Sequence, residues 1–253
     1  MSNAPENVRR DWRLPDDLWA CIQPLLPPRK SHPLGGHRSR VDARRAMDAI
    51  FFILRTGGQW HALQDTGLCS RSSAHRRFQE WAAAGVCLAF WAQGLAVYEA
   101  LQGMDWEGLA MDGAITNAPL GGKNVGKHPT DRGQIGTKRR VFTDGGGVPL
   151  GLAVEGANRH DFKMVEETIS RLPIERPTPT PEQPPGRCLD KGNDFDDVRE
   201  RLATFGFTAH IRARGEAAHT ITRAAGDKAR RWVVERTHSG MNRFRRLLIR
   251  WDK

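Results

Sequence analysis

Three carboxylates could together hold metal ions for phosphodiester chemistry. Asp112 lies in the apolar stretch LAMDGAIT, where an acid is costly unless it binds a metal, pairs with a cation or faces water. Asp190 ends a predicted strand in CLDKGNDF, and ligands of open α/β sheets bind beyond the carboxyl ends of strands. Glu235 is the only acid in RRWVVERTHSGMNRFRR. Mg²⁺ prefers oxygen ligands, and two such ions about 4 Å apart activate the attacking oxygen and stabilise the leaving oxygen.

Each of these acids alone also fits an ion pair or a solvated position, and four other acids compete with them. Asp131 lies in a basic loop, Asp144 in a glycine turn, Asp161 after His160, and Asp194 at a predicted helix start. Turn and capping roles account for Asp144 and Asp194 without chemistry, and a capping role also suits Asp161. From the residues alone the ligand set stays open.

The basic charge of the chain indicates a polyanionic partner. The 253 residues carry a formal net charge of +10 and a pI near 10.1, which favours nucleic acid, although many basic proteins are merely soluble. Residues 228–253 hold nine basic side chains and two acids, a surplus of seven. Lys and Arg that meet phosphates release counterions, so this stretch predicts salt-sensitive DNA binding.

The elements before residue 105 are predicted to be helical. Apolar residues recur at helical spacing in a helix from about 41 to 55, and a second helix is predicted over 71–84 with Ser70 as its N-cap. A turn near residues 60–63 separates them. We therefore expect residues 1–104 to form a small all-α, helix-turn-helix-like DNA-binding domain, with Arg76 and Arg77 exposed. A plain helical bundle is the alternative.

The period changes at residue 105, where strands begin. Strands are predicted over 109–115, 138–143 and 150–154, then a helix over 162–172, a strand at 187–189, a helix over 194–205, a strand over 208–212 and a basic helix over 229–251. A proline-rich linker occupies 173–186. This order predicts an α/β domain over 105–253, with a mixed sheet and flanking helices. The same order is found in ribonuclease-H-like nucleases and integrases.

A cysteine-based zinc site, disulfide bonds and a membrane or secreted location are not expected. The four cysteines form no C-x-x-C pair, so neither a zinc site nor a disulfide framework is predicted. No apolar run approaches the roughly 18 residues of a membrane span, and the N-terminus lacks a secretory signal. We expect a soluble, unexported protein.

Several long strings, in fixed order, resemble DDE transposases of bacterial insertion sequences in the insertion-sequence-five group. They are LPDDLWACIQPLLPP, RTGGQWHAL, MDGAITNAPLGG, PTDRGQIGTKRR, GVPLGLAVEGANRHD, CLDKGNDF and RRWVVERTHSGMNRFRRLLIRW. The resemblance implies that Asp112, Asp190 and Glu235 are the catalytic triad. It also implies two Mg²⁺ ions, for which Mn²⁺ can substitute, and cytoplasmic, nucleoid-associated action on transposon ends and target DNA.

The basic charge sets the expected DNA contacts, and departures from the family pattern set the alternative function. A homodimer is expected in the synaptic complex, and phosphates are expected to meet the basic residues Lys123, Lys138, Arg139, Arg231, Arg236, Arg243, Arg245 and Arg246. Asn193 and Gly240 stand where the family usually has Tyr and Trp. The alternative is a shortened, catalytically inactive relic that acts only as a DNA-binding protein.

Overall fold

The structure, a computed structural model, describes residues 12–28, 40–131, 133–176, 178, 187–188, 200, 202–209 and 231–251. The side chains of residues 161, 162, 187, 188, 208, 209 and 231 lie outside that description. The chain divides into two compact units, one of Met1–Gly94 with Arg243–Leu247 and one of Leu95–Asn242 with Leu248–Lys253.

The first unit is helical, as the apolar spacing predicts. Its elements are α1 (Asp16–Ile22), α2 (Ala43–Thr56), a 3-10 segment (Trp60–Thr66), α3 (Arg71–Ala83) and the first half of α4 (Val86–Gln102), for which no separate helix was predicted. The predicted N-cap of α3 is confirmed, since the Ser70 side chain accepts a hydrogen bond from the Ser73 amide. α2 ends at Gly57, whose φ of 72° lies in the left-handed region.

The core of the first unit forms along the predicted apolar face of α2. Ala46 and Ile50 of that face are buried, Ile53 is buried beside them, and Trp81 of α3 is buried as well. One carboxylate joins this core: Asp48 is 6% exposed and accepts a hydrogen bond from the Leu14 amide at 3.2 Å. The burial of Asp48 is tolerated because this hydrogen bond and the ion pair with Arg44 satisfy its carboxylate.

The second unit is α/β, which confirms the predicted fold class. In chain order it contains β1 (Ala110–Asn117), β2 (Gly126–Lys127), β3 (Ile135–Thr143), β4 (Pro149–Gly156), α5 (Asp161–Ser170), β5 (Arg187–Cys188), β6 (Thr208–Ala209) and α6 (Arg231–Met241). β3 pairs antiparallel with both β1 and β4, while β5 and β6 are parallel and β5 lies beside β1. Antiparallel strands followed by parallel strands is the predicted order, but among the described residues β1–β4 form one sheet and β5–β6 a separate two-stranded sheet. β2 was not predicted; it lies between the strands predicted over 109–115 and 138–143.

Helices α5 and α6 cover opposite faces of this sheet. Gly151 pairs with Phe142, and a Cβ at Gly151 would lie 2.5 Å from the Thr168 carbonyl of α5. Phe142 therefore faces α5. The adjacent Val141 must point the other way, and it packs in one cluster with Val234 of α6. The central strand β3 is thus covered on both faces.

The expected long helix over 229–251 is wrong at its C-terminal end, because α6 ends at Met241. Phe244 packs edge-to-face against Phe51 at 5.9 Å between ring centroids. Further on, the Arg250 amide donates to the Asn117 carbonyl at 2.8 Å. These tertiary contacts outweigh the helical propensity of the segment.

The part of the chain that the structure describes has no single helix long and apolar enough to cross a membrane. α3 and α4 reach that length and composition only together, as a pair bent by 61°.

Candidate active site

The position of Asp112 follows from the register of β1 with β3. Asp112 pairs with Val141, and directly paired residues of an antiparallel ladder point to the same face. Val141 packs with Ala110 and with Val234 of α6. The half-buried side chain of Asp112 therefore lies on the sheet face that α6 covers.

One histidine connects this strand to the helix that carries Glu235. His238 is buried, and its Nε2 donates to the Asp112 carbonyl at 3.4 Å. Glu235 is exposed and precedes His238 by three residues, so both side chains lie on the same side of α6. Glu235 and the Asp112 backbone therefore both lie near His238.

The electrostatics of His238 support the same placement. Burial lowers the pKa of His238, the positive charge of Arg139 lowers it further, and the charges of Asp112 and Glu235 raise it. Its Nδ1 is buried and has no hydrogen-bond partner among the described residues. The neutral imidazole with its proton on Nε2 fits these surroundings. His238 was not among the site residues predicted from the sequence, although its position one helical turn after Glu235 was a usable signal.

The donors brought together here suit a hard divalent cation. Asp112 and Glu235 offer carboxylate oxygens, the ligand type that Mg²⁺ prefers. Within the described ranges no group of three or more His, Cys, Asp or Glu side chains is arranged so that it could hold a metal ion, and Asp190 lies outside the described residues. Asp112 and Glu235 both lie near His238, and a ligand role for all three acids stays a prediction.

The competing acids have positions that differ from this arrangement. Asp144 is fully buried, and its Oδ1 accepts the Val148 amide at 2.7 Å, as the predicted turn role requires. Asp131 is exposed, and its amide donates to His128 Nδ1 at 3.0 Å. Asp161 is the first residue of α5, so His160 and not Asp161 occupies the capping position. Asp194 lies outside the described residues.

The predicted DNA-contacting residues divide into exposed and buried sets. Lys123, Arg236, Arg243 and Arg245 are exposed. Lys138, Arg139 and Arg246 are buried, and the side chain of Arg231 is not described.

Each buried cation meets a protein oxygen. Lys138 donates to the Arg159 carbonyl at 2.8 Å, and Arg139 donates to the side-chain oxygen of Asn242. Arg246, in the first unit, donates to the Gly58 carbonyl at 2.8 Å. These internal contacts satisfy charges that burial would otherwise penalise.

In the first unit, α3 presents a polar outer face. Ser72, Arg76 and Gln79 are exposed, and their spacing places them on one side of the helix. Arg77 differs from the expectation: its side chain is only 13% exposed and forms an ion pair with Glu80. Arg76 is thus the arginine of this pair that faces solvent.

Comparison with known proteins identifies the family. The family model described as "Putative transposase of IS4/5 family" matches residues 14–91. A protein of Burkholderia cepacia, "Putative transposase for insertion sequence element IS402", is 34% identical over 141 residues, which is 55% of this chain. The chain spans 64% of that relative's length.

A second Burkholderia cepacia protein is covered more fully. It is the "Insertion element IS402 uncharacterized 16.2 kDa protein", 34% identical over 119 residues, 45% of this chain and 79% of that protein. Among solved structures, the Mos1 transposase paired-end complex with left transposon end aligns with a TM-score of 0.29 and 11% identity, over 87% of this chain and 81% of that one. The pre-cleavage Mos1 transpososome gives a TM-score of 0.30 and 12% identity over the same shares. TM-scores of this size do not establish a relationship. The sequence relatives do, and the chain belongs to the IS4/5 family of insertion-sequence transposases.

Proposed function

We propose that this chain binds insertion-sequence ends and catalyses metal-dependent cleavage and transfer of DNA strands. The observation that carries the proposal is that Asp112 on β1 and Glu235 on α6 both lie near the buried His238. The family assignment supplies the substrate class, since a transposase acts on double-stranded DNA.

The carboxylates of Asp112, Asp190 and Glu235 would hold the divalent ions of this reaction. Two Mg²⁺ ions, or Mn²⁺ in their place, would supply an activated attacking oxygen and stabilise the leaving oxygen. The contribution of the described residues is placement. β1 fixes Asp112 between paired strands, and α6 presents Glu235 above the same face, with Val234 packed against the sheet.

DNA would be held by cations that face solvent. The exposed Lys123, Arg243 and Arg245 support backbone contacts, which position a duplex without reading its sequence. The outer face of α3, with Arg76 and Gln79, supports contacts to base edges, since both side chains can make paired hydrogen bonds to a base. Strand transfer between two transposon ends would involve two copies of the chain.

Incubation of the full chain with labelled insertion-sequence ends and Mg²⁺ or Mn²⁺ tests this proposal. Wild type should cut, whereas Asp112→Asn, Asp190→Asn and Glu235→Gln should bind the ends and not cut. Asp131→Asn is the matched control and should cut normally, because its exposed carboxylate lies in a loop. If wild type binds and never cuts under either metal, the chain is a DNA-binding relic. If any triad variant cuts like wild type, that residue is not a ligand.

A further inference from the structure

The turn between β3 and β4, residues 144–148, is closed by its own hydrogen bonds. The Asp144 amide donates to the Val148 carbonyl at 3.0 Å, and the Gly147 amide donates to the Asp144 carbonyl at 3.1 Å. The buried Asp144 carboxylate accepts the Val148 amide at 2.7 Å. The turn is therefore a stiff platform that does not depend on α6 for its shape.

Helix α6 is attached to this platform by two side chains. Arg236 donates through Nη2 to the Gly146 carbonyl at 2.5 Å, and Thr237 donates through Oγ1 to the Gly147 carbonyl at 2.6 Å. The hydrogen bonds within the turn do not use these two carbonyls, which accept from α6 instead. Because the two donors are adjacent on α6, they fix the rotation of the helix about its axis as well as its distance from the turn.

Gly147 allows this close approach. Its φ of 89° lies in the region that side chains rarely adopt. A Cβ there would lie 3.0 Å from Val233 Cγ1, 3.1 Å from Arg236 Nη2 and 3.2 Å from Thr237 Oγ1. An alanine would therefore strain the turn and push α6 away at the same time.

These contacts lie immediately beside Glu235. Arg236 and Thr237 follow it in the chain, the buried Val234 precedes it, and His238 contacts the Asp112 carbonyl. A small rotation of α6 would move Glu235 relative to β1. We propose that residues 144–148 hold α6 in the orientation that directs Glu235 toward Asp112, with Arg236 and Thr237 as positioning residues.

This inference rests on the proposed function and changes the role expected for Arg236. A guanidinium that donates to Gly146 and lies 4.9 Å from the Trp232 ring centroid is already engaged with the protein. Binding a phosphate instead would release the turn from α6. Arg236 therefore contributes to metal placement and not to DNA affinity.

Mn²⁺ binding by the full chain, followed through the electron paramagnetic resonance signal of free Mn²⁺, tests the inference without DNA cleavage. Thr237→Val keeps the shape of the side chain and removes the donor, and it should weaken Mn²⁺ binding on the order of tenfold, as loss of a group that orients a ligand does. Thr237→Ser retains the hydroxyl and should bind like wild type. The hydroxyl also lies 3.2 Å from the Val233 carbonyl of its own helix, and valine removes that contact too, so the melting temperatures of both variants are compared with wild type. Arg236→Met should give the same loss and covers the case in which Thr237→Val does not fold.

Glu235→Gln sets the scale and separates the two proposals. If Glu235→Gln weakens Mn²⁺ binding while Thr237→Val and Arg236→Met do not, the positioning role is wrong and the metal site stands. If Glu235→Gln binds Mn²⁺ like wild type, both proposals fail. The positioning role also fails if Thr237→Ser is as impaired as Thr237→Val, or if Arg236→Met weakens metal-free DNA binding and reduces its salt dependence.

Discussion

Replacing Arg76 by alanine should weaken DNA binding, whereas replacing its neighbour Arg77 should not. Arg76 lies on the exposed face of α3 with Ser72 and Gln79. The Arg77 side chain is 13% exposed and is paired with Glu80 three residues later. Because Arg77 is held by an internal carboxylate, a phosphate or base could recruit it only by breaking that pair. The two adjacent arginines thus form a matched test of which face of α3 meets DNA.

The magnitudes follow from the kind of contact that each arginine makes. A bidentate arginine contact with a base contributes about 1–3 kcal/mol of discrimination, so Arg76→Ala should weaken binding of the cognate end by about 5- to 150-fold. Arg77→Ala should leave DNA affinity unchanged and lower stability by up to about 1 kcal/mol, since its ion pair is partly shielded from solvent. Fluorescence anisotropy with labelled ends, at several salt concentrations, measures the first effect, and urea unfolding measures the second.

Two further results of this assay are informative. If Arg76 meets a base, Arg76→Ala should relax discrimination between cognate and scrambled ends; if it meets a phosphate, affinity should fall equally for both and the salt slope should decrease by about one. The reasoning is refuted if Arg77→Ala costs more affinity than Arg76→Ala. It is also refuted if neither variant changes binding, because the outer face of α3 would then not contact DNA.

Substitutions at four other positions test burial, backbone conformation and surface charge. Burial raises the pKa of Asp48 above its ordinary 3.8. Between the ordinary and the raised pKa, the folded chain keeps a proton that the unfolded chain has lost. The contribution of this carboxyl to stability therefore falls as the pH rises from the ordinary pKa through the raised one. In urea unfolding across acidic to neutral pH, Asp48→Asn should remove this dependence and be no less stable at neutral pH, whereas Asp48→Ala should lose about 2 kcal/mol. Gly57→Ala should lower the melting temperature, because its Cβ would lie 2.9 Å from Arg245 Cβ at a φ of 72°. Lys138→Ala should also lower the melting temperature and leave the salt slope of DNA binding unchanged. Replacement of the exposed Lys123 by alanine should leave the melting temperature unchanged and reduce the magnitude of the salt slope by about 0.9.

Local signals in the sequence were sufficient for most of the elements in the described residues. Ser70 before a helical pattern predicted the cap of α3, and Gly57 ended α2 where a left-handed residue was needed. The strands β1, β3 and β4 were predicted within a few residues of their observed ends. These features depend on neighbours in the chain, which is why the sequence alone reveals them.

Burial of charge was not predictable in the same way. The run TKRRVFT has the composition of a solvated strand, yet Lys138, Arg139 and Arg140 are buried. The reason is that β3 lies between β1 and β4, with α5 and α6 on its two faces. Which strand is central depends on long-range pairing, and the oxygens that satisfy these cations come from distant residues such as Arg159.

The segment around Glu235 shows why a motif can be recognised without its geometry being known. Four consecutive residues, from Val234 to Thr237, have different surroundings: Val234 is in the core, Glu235 is exposed, and Arg236 and Thr237 contact the β3–β4 turn. A helix turns 100° per residue, so such a division requires partners on several sides of α6. The sequence shows a lone acid among basic residues. It does not show that Arg236 is engaged by a glycine turn about 90 positions earlier, and that engagement is what separates an arginine that orients a carboxylate from one that binds DNA.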